Sequence, residues 1–238
     1  MIAGIAGDIL GSVYEGYQWK NKTQPLLINK PVSENNEVTP FFKEMKWVRT
    51  EQYWTDDTLC TLALYKAYIT NSDPTTTMVE ICTKYSDPDT GFGKAFGAWL
   101  KNPEPYGSYA NGAIMRIGFI PYLNISLGDK LKLGHAYTSI SHNHECSLKA
   151  VHDYICIAEQ LKTYKNKAPI LAYIKDNNIT QTVESMHLEL KFEMHALRTL
   201  EQALVIIAES NSMEDVFINC FYVGGDSDTL ACIAGNLA

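Results

Sequence analysis

Two short stretches, WTDDT at 54–58 and GGDSDT at 224–229, concentrate more carboxylates and hydroxyls than a helix start needs. The first holds Thr55, Asp56, Asp57 and Thr58. The second holds Asp226, Ser227, Asp228 and Thr229. Each precedes an apolar helical pattern, where a side-chain oxygen can cap free amides and the helix dipole favours negative charge. Capping explains one carboxylate in each stretch, but not two. Folded against one another, four carboxylates call for a cation between them. Mg²⁺ prefers such an all-oxygen set, Mn²⁺ accepts it, and two ions can share it. A dinuclear divalent-metal site is the chemistry these residues suggest, with capping as the plain alternative.

Three more segments carry candidate chemistry. GDILGSVYEG at 7–16 supplies Asp8, Ser12 and Glu15, spaced so that a continuing helix would bring them to roughly one face; ending or solvating that helix is the simpler reading. SYANGAIMRIGFIP at 108–121 places Ser108, Asn111 and Gly112 in a small-residue turn before an apolar run. Amides exposed there would suit an anion, though an ordinary turn reads the same way. SISHNHECS at 139–147 holds His142 and His144 without convincing zinc partners, so both read as polar residues at a helix start. Trp54 reads as a core aromatic or a pocket wall. Tyr106 and Tyr109 read as base-stacking or loop-packing rings. Phe92 and Phe96 read as core residues of one helix, and Arg116 as a surface or buried-pair residue without a role.

The elements that must position these groups are mostly helical. Apolar spacing predicts helices over 2–15, 56–69, 74–85, 92–101, 112–123, 128–139, 144–165, 168–176, 193–209 and 213–222, with a last one from GGDSDT to the end. Asp73-Pro74 is an N-cap and N1 pair, and Ser212 with Asp215 resembles a capping box. Glycines and alanines between Ile2, Ile5, Ile9 and Val13 would let the first helix approach a neighbour closely. Residues 17–52 contain Pro25, Pro31 and Pro40 without a sustained period and read as a long loop of functional interest. Strand signals are few, so the expectation is one all-α domain spanning 1–238.

Composition sets limits. A formal net charge of −7 argues against general binding to nucleic acid or an anionic membrane. No apolar run reaches the roughly 18 residues of a membrane span. The start lacks the basic region of a signal peptide. The six cysteines form no CxxC pair and mostly sit in apolar stretches, which fits reduced thiols in a cytoplasmic protein.

Taken in order, GIAGDILGSVYEG, WTDDT, SYANGAIMRIGFIP, SHNHE and GGDSDTLACIAGNLA resemble the ADP-ribosylglycohydrolase family over essentially the whole chain. The resemblance implies a compact, orthogonal all-α multi-helix bundle with two Mg²⁺ or Mn²⁺ ions. It also implies hydrolysis of N- or O-glycosidic bonds at the anomeric carbon of ADP-ribose. Thr55, Asp56, Asp57, Asp226, Asp228 and Thr229 would ligate metal, with Glu15 and Asp57 catalytic. Ser108, Asn111 and Gly112 match the segment that meets the diphosphate, and His142 a histidine near the ligand. Family branches carrying the glutamate include enzymes acting on serine-linked and other O-linked ADP-ribose, which favours O-linkages here. Family chains usually continue past the GGDSDT helix, whereas this sequence stops at Ala238; the metal motif lies before that point, so the site is expected to form.

The implied partner is an ADP-ribosylated protein or a small ADP-ribose conjugate, met by a monomer. Two other readings stand beside it. One is a non-catalytic ADP-ribose binder or crystallin-like relative, which loss of Glu15 or of the metal ligands would favour. The other is two-metal hydrolysis of a phosphoester or pyrophosphate bond.

Overall fold

The computed structural model describes residues 1–16, 52–87, 90–189 and 191–238. The expected 17–52 loop therefore lies outside the described residues, except for Gln52. Among those described, the chain is all-α: twelve α-helices, two short 3₁₀ turns and one isolated bridge between Ala110 and His195.

Local chemistry sets most boundaries. α1 runs Ile2–Gly11 and tightens into a 3₁₀ turn over Ser12–Tyr14. α2 (Asp56–Thr70) starts at the N-cap Thr55 and stops at Asn71, which adopts the left-handed conformation at φ 51°. α3 (Pro74–Tyr85) has Asp73 accepting from the Thr76 amide at 2.7 Å and proline in its first turn, as the sequence predicts. α4 (Lys94–Trp99) is shorter than the expected 92–101. Phe92 therefore lies outside the helix holding Phe96, although their rings still meet at 5.3 Å.

The expected 112–123 helix is broken into α5 (Gly112–Met115) and a 3₁₀ turn at Ile120–Tyr122. The Asn236 side chain fills the space a Cβ on Gly118 would need, and Pro121 offers no amide to continue a helix. α6 (Leu127–Ser139) and α7 (Glu145–Tyr164) follow, then α8 (Ala168–Asp176). α9 (Val183–Glu189) falls where no helix is expected.

α10 spans Ala196–Glu209 rather than 193–209 because the preceding backbone pairs elsewhere. The Asn111 amide donates to the Met194 carbonyl at 2.7 Å, and the Ala196 amide to that of Tyr109 at 2.9 Å. α11 (Met213–Val223) begins with a capping exchange: the Asp215 amide donates to Ser212 Oγ, and the Asp215 carboxylate accepts from the Asn211 amide. α12 (Ser227–Leu237) closes the fold.

α12 lies at the centre, buried along its whole length, with α1, α10 and α11 packed on it. The small residues of α1 make the closest approach: a Cβ on Gly7 would stand 2.3 Å from the Ala231 carbonyl oxygen, and one on Gly11 2.6 Å from Asp228 Cα. This contact sets the end of α1 beside the start of α12. On the outer side, α7 packs against α5, α6, α8 and α10. Side chains from these helices form one apolar core cluster. No helix among the described residues is long and apolar enough to cross a membrane.

Candidate metal centre and ligand cavity

The start of α2 shows what each oxygen of WTDDT does. Thr55 Oγ1 accepts from the Asp57 amide at 3.3 Å, which is the N-cap bond. Asp8, reaching over from α1, accepts from the Thr55 amide, the Thr58 amide at 3.1 Å and Thr55 Oγ1 at 2.7 Å. Capping is thus completed by Thr55 and Asp8, which leaves the Asp56 and Asp57 carboxylates without that duty. Asp8, which spacing grouped with Glu15, instead anchors α2.

The start of α12 faces this point. Gly224 and Gly225 turn the chain at φ 74° and 71°, a region costly for residues with a Cβ. The Gly16 amide donates to the Gly225 carbonyl at 2.8 Å, tying the end of the α1 segment to the turn. Thr229 Oγ1 then donates to Asp57 Oδ2 at 2.9 Å, so residues 172 positions apart meet directly. Asn111 Nδ2 donates to Asp226 Oδ2 at 2.7 Å, joining the α5 turn to the same cluster. Glu15, Asp226 and Asp228 each present a carboxylate oxygen within 4.8 Å of the others.

The donor set fits a hard cation. Asp57 Oδ1 and Asp228 Oδ1 are buried with no hydrogen-bond partner among the described residues, an arrangement that costs free energy unless something positive meets them. Burial, then the charges of Asp226, Asp8 and Glu15, push Asp56 up to about 8 despite nearby Arg116. Asp57 is held well above the ordinary range by burial, then by Asp8, Asp56 and Asp226. Asp228 is raised in the same way by burial, Asp226 and Asp57. A divalent ion among them reverses this balance by favouring the ionised form.

The cluster opens into a cavity of about 210 Å³. Of the residues singled out in sequence, Glu15, Asp56, Ser108, Asn111, Gly112, His142, Asp226, Asp228 and Thr229 line it, while Thr55 and Asp57 do not. The α5 turn differs from its expected form. The amides of Asn111, Ala113 and Ile114 are spent on backbone carbonyls, and α5 has only four residues; Ser108 and Asn111, in the turn before it, line the cavity. His142 is buried rather than at a helix start, whereas His144 caps α7 as expected. Trp54 is exposed over a separate apolar hollow with Leu62, Ile81 and Tyr85.

Among the wall residues to which sequence reasoning gave no role in a site are Arg116, Phe192 and Met194. Arg116 is 1% exposed and hydrogen-bonds to Ser141 and His142. Phe192 and Met194 reach the cavity through the pairing of residues 194–196 with 109–111. Only a lone arginine in an apolar run pointed to the first, and no periodicity to the others.

An all-α bundle with paired acidic helix starts around a cavity defines the class, and comparison supplies the family. The ADP-ribosylglycohydrolase family profile matches residues 1–238, so the chain belongs to that family, whose activity type is glycoside hydrolysis. A solved structure described as an ADP-ribosylglycohydrolase-related protein complex is similar in fold, with a TM-score of 0.67 at 19% identity. The alignment covers 100% of this chain and 83% of that one. Comparison with curated proteins gives no match.

Proposed function

We propose that the protein hydrolyses the glycosidic bond joining ADP-ribose to a protein side chain or a small O-linked acceptor, releasing ADP-ribose. The observation that carries this reading is the direct contact between Thr229 and Asp57, which joins two acidic stretches beside a cavity of about 210 Å³. Asp56, Asp57, Asp226 and Asp228, with Thr55 and Thr229, would hold two Mg²⁺ or Mn²⁺ ions. When bound, these ions would neutralise the carboxylates and bind the ribose hydroxyls.

The chain's own groups supply the rest. Asn111 and Thr229 orient the Asp226 and Asp57 carboxylates through hydrogen bonds. Ser108, Asn111, Gly112 and His142 line the part of the cavity assigned to the diphosphate. Bond breaking at the ribose anomeric carbon develops positive, oxocarbenium-like charge, and the Glu15 carboxylate, not counted among the ion ligands, lines the cavity there. Glu15 is the general base that takes a proton from the attacking water, and the same carboxyl group can deliver a proton to the leaving oxygen, a role worth about 10²–10⁴-fold in rate. Its carboxylate lines the cavity near Asp226 and Asp228.

The test is a product assay on serine-linked, arginine-linked and small O-linked ADP-ribose conjugates, with and without chelator. Wild type should release intact ADP-ribose, chelator should abolish release, and Glu15→Gln should slow it about 10²-fold or more. Release of AMP would instead mean pyrophosphate cleavage. Ligand binding without any product would mean a non-catalytic binder. Near-normal turnover in Glu15→Gln, Asp57→Ala and Asp228→Ala together would overturn the mechanism.

A further inference from the structure

Arg116 is the one lysine or arginine among the described residues lining the cavity, and it is almost wholly buried. Three of its donors are engaged: Nε donates to the Gly112 carbonyl, Nη1 to Ser141 Oγ at 3.2 Å, and Nη2 to His142 Nδ1. A guanidinium only donates and stays charged. Nδ1 must therefore accept, which puts the imidazole proton on Nε2. The opposite tautomer would set an Nδ1 proton against the guanidinium.

The Nε2 edge lies where a ligand would find it. Its one hydrogen-bond contact among the described residues is Arg116 Nη2 at 3.4 Å, itself a donor, so the Nε2 proton has no acceptor there. A Cβ on Gly112 would stand 2.9 Å from Nε2, so glycine at that position leaves this edge clear. Burial, and then the adjacent Arg116 charge, hold the imidazole well below the ordinary histidine range, consistent with an uncharged ring.

We propose that Arg116 is a positioning residue that fixes His142 as its Nε2–H tautomer, presenting a single N–H donor to an anionic oxygen of the substrate's diphosphate. The proposal rests on the ADP-ribose reading of the cavity and adds to it a residue that acts through His142. Substitution by lysine keeps the charge but not the fork that holds the Gly112 carbonyl, Ser141 and His142 together.

The experiment is a ¹⁵N–¹H correlation spectrum of the imidazoles in the full chain at neutral pH, alone and with ADP as probe, with His142 assigned by its loss in His142→Asn. Wild type should show Nδ1 unprotonated and Nε2 protonated, and ADP should move the Nε2 resonance. Arg116→Lys should mix the tautomers and weaken ADP binding about tenfold, whereas Ser141→Ala should keep the wild-type tautomer. A wild-type His142 protonated on Nδ1 or on both nitrogens would overturn the proposal, even if Arg116→Lys failed to fold. So would a folded Arg116→Lys with the wild-type tautomer and ADP affinity. The spectrum is read without turnover, so an inactive chain with the expected tautomer would refute the hydrolase reading and leave this inference standing.

Discussion

Replacing Gly7 by alanine isolates the contact that brings the two halves of the candidate site together. The added methyl would lie 2.3 Å from the Ala231 carbonyl oxygen and 2.5 Å from its carbon. Both neighbours are α12 backbone and have no rotamer to escape into. Restoring the 3.4 Å of ordinary contact moves α1 and α12 apart by 3.4 − 2.3, or 1.1 Å. A gap of that size forfeits roughly a quarter to a half of the dispersion attraction across it. Overpacking costs about 1–3 kcal/mol, and backbone on both sides places this case near 3. Alanine returns about 1 kcal/mol through helix propensity, so the net loss is about 2 kcal/mol. At about 2–4 °C per kcal/mol for a chain of this size, Tm should fall by about 4–8 °C. Differential scanning calorimetry reads this directly. Gly97→Ala is the internal control: it lies within α4 and a Cβ there meets nothing within 4 Å. It should raise stability by about 0.5–1 kcal/mol. A Gly7→Ala protein as stable as wild type, or more so, would refute the close-packing argument.

Further outcomes follow from other contacts. Lys130 is buried with its ammonium on Glu159 at 2.7 Å and on the Pro121 carbonyl at 2.8 Å, so Glu159→Gln should cost about 2 kcal/mol in a denaturant melt. Desolvation raises the Glu159 pKa, but hydrogen bonds from Lys130 and Lys162 outweigh it and hold the group below the ordinary glutamate range. Its contribution is therefore fully present above that range and lost as pH falls through the lowered value; Glu159→Gln should flatten this acid-side loss, and an unchanged profile would contradict the pairing. Mg²⁺ at about 100 times its dissociation constant should add about 2.7 kcal/mol to wild-type stability, read as a rise in Tm that chelator reverses. The same addition should leave Asp57→Ala nearly unmoved; equal rises in both would place the ion elsewhere.

Much of the fold was legible because its helices carry local signals. Asp73-Pro74 and Ser212 with Asp215 mark starts through side-chain chemistry that needs no distant partner. The small residues of α1 announced a close neighbour, and that neighbour is α12. The errors lie where distant groups decide. Asn236, more than a hundred positions away, occupies the space beside Gly118 where the 112–123 helix breaks. Residues 193–195 leave the helical pattern because their backbone pairs with the turn at 109–111. In the site, the excess of carboxylates over capping needs was readable, and Asp8 strengthens that argument by completing the cap itself. Arg116 was readable only as a surface or buried-pair residue without a role, and it is the buried alternative that the structure shows. Its role depends on Ser141 and His142, brought close only by the fold.

The most direct measurement of the shared site is an anomalous difference map from crystals soaked in Mn²⁺. The account predicts two strong peaks ligated by oxygens of Asp56, Asp57, Asp226 and Asp228. Crystals that diffract well yet show no peak there, or show manganese only at unrelated surface carboxylates, would contradict it.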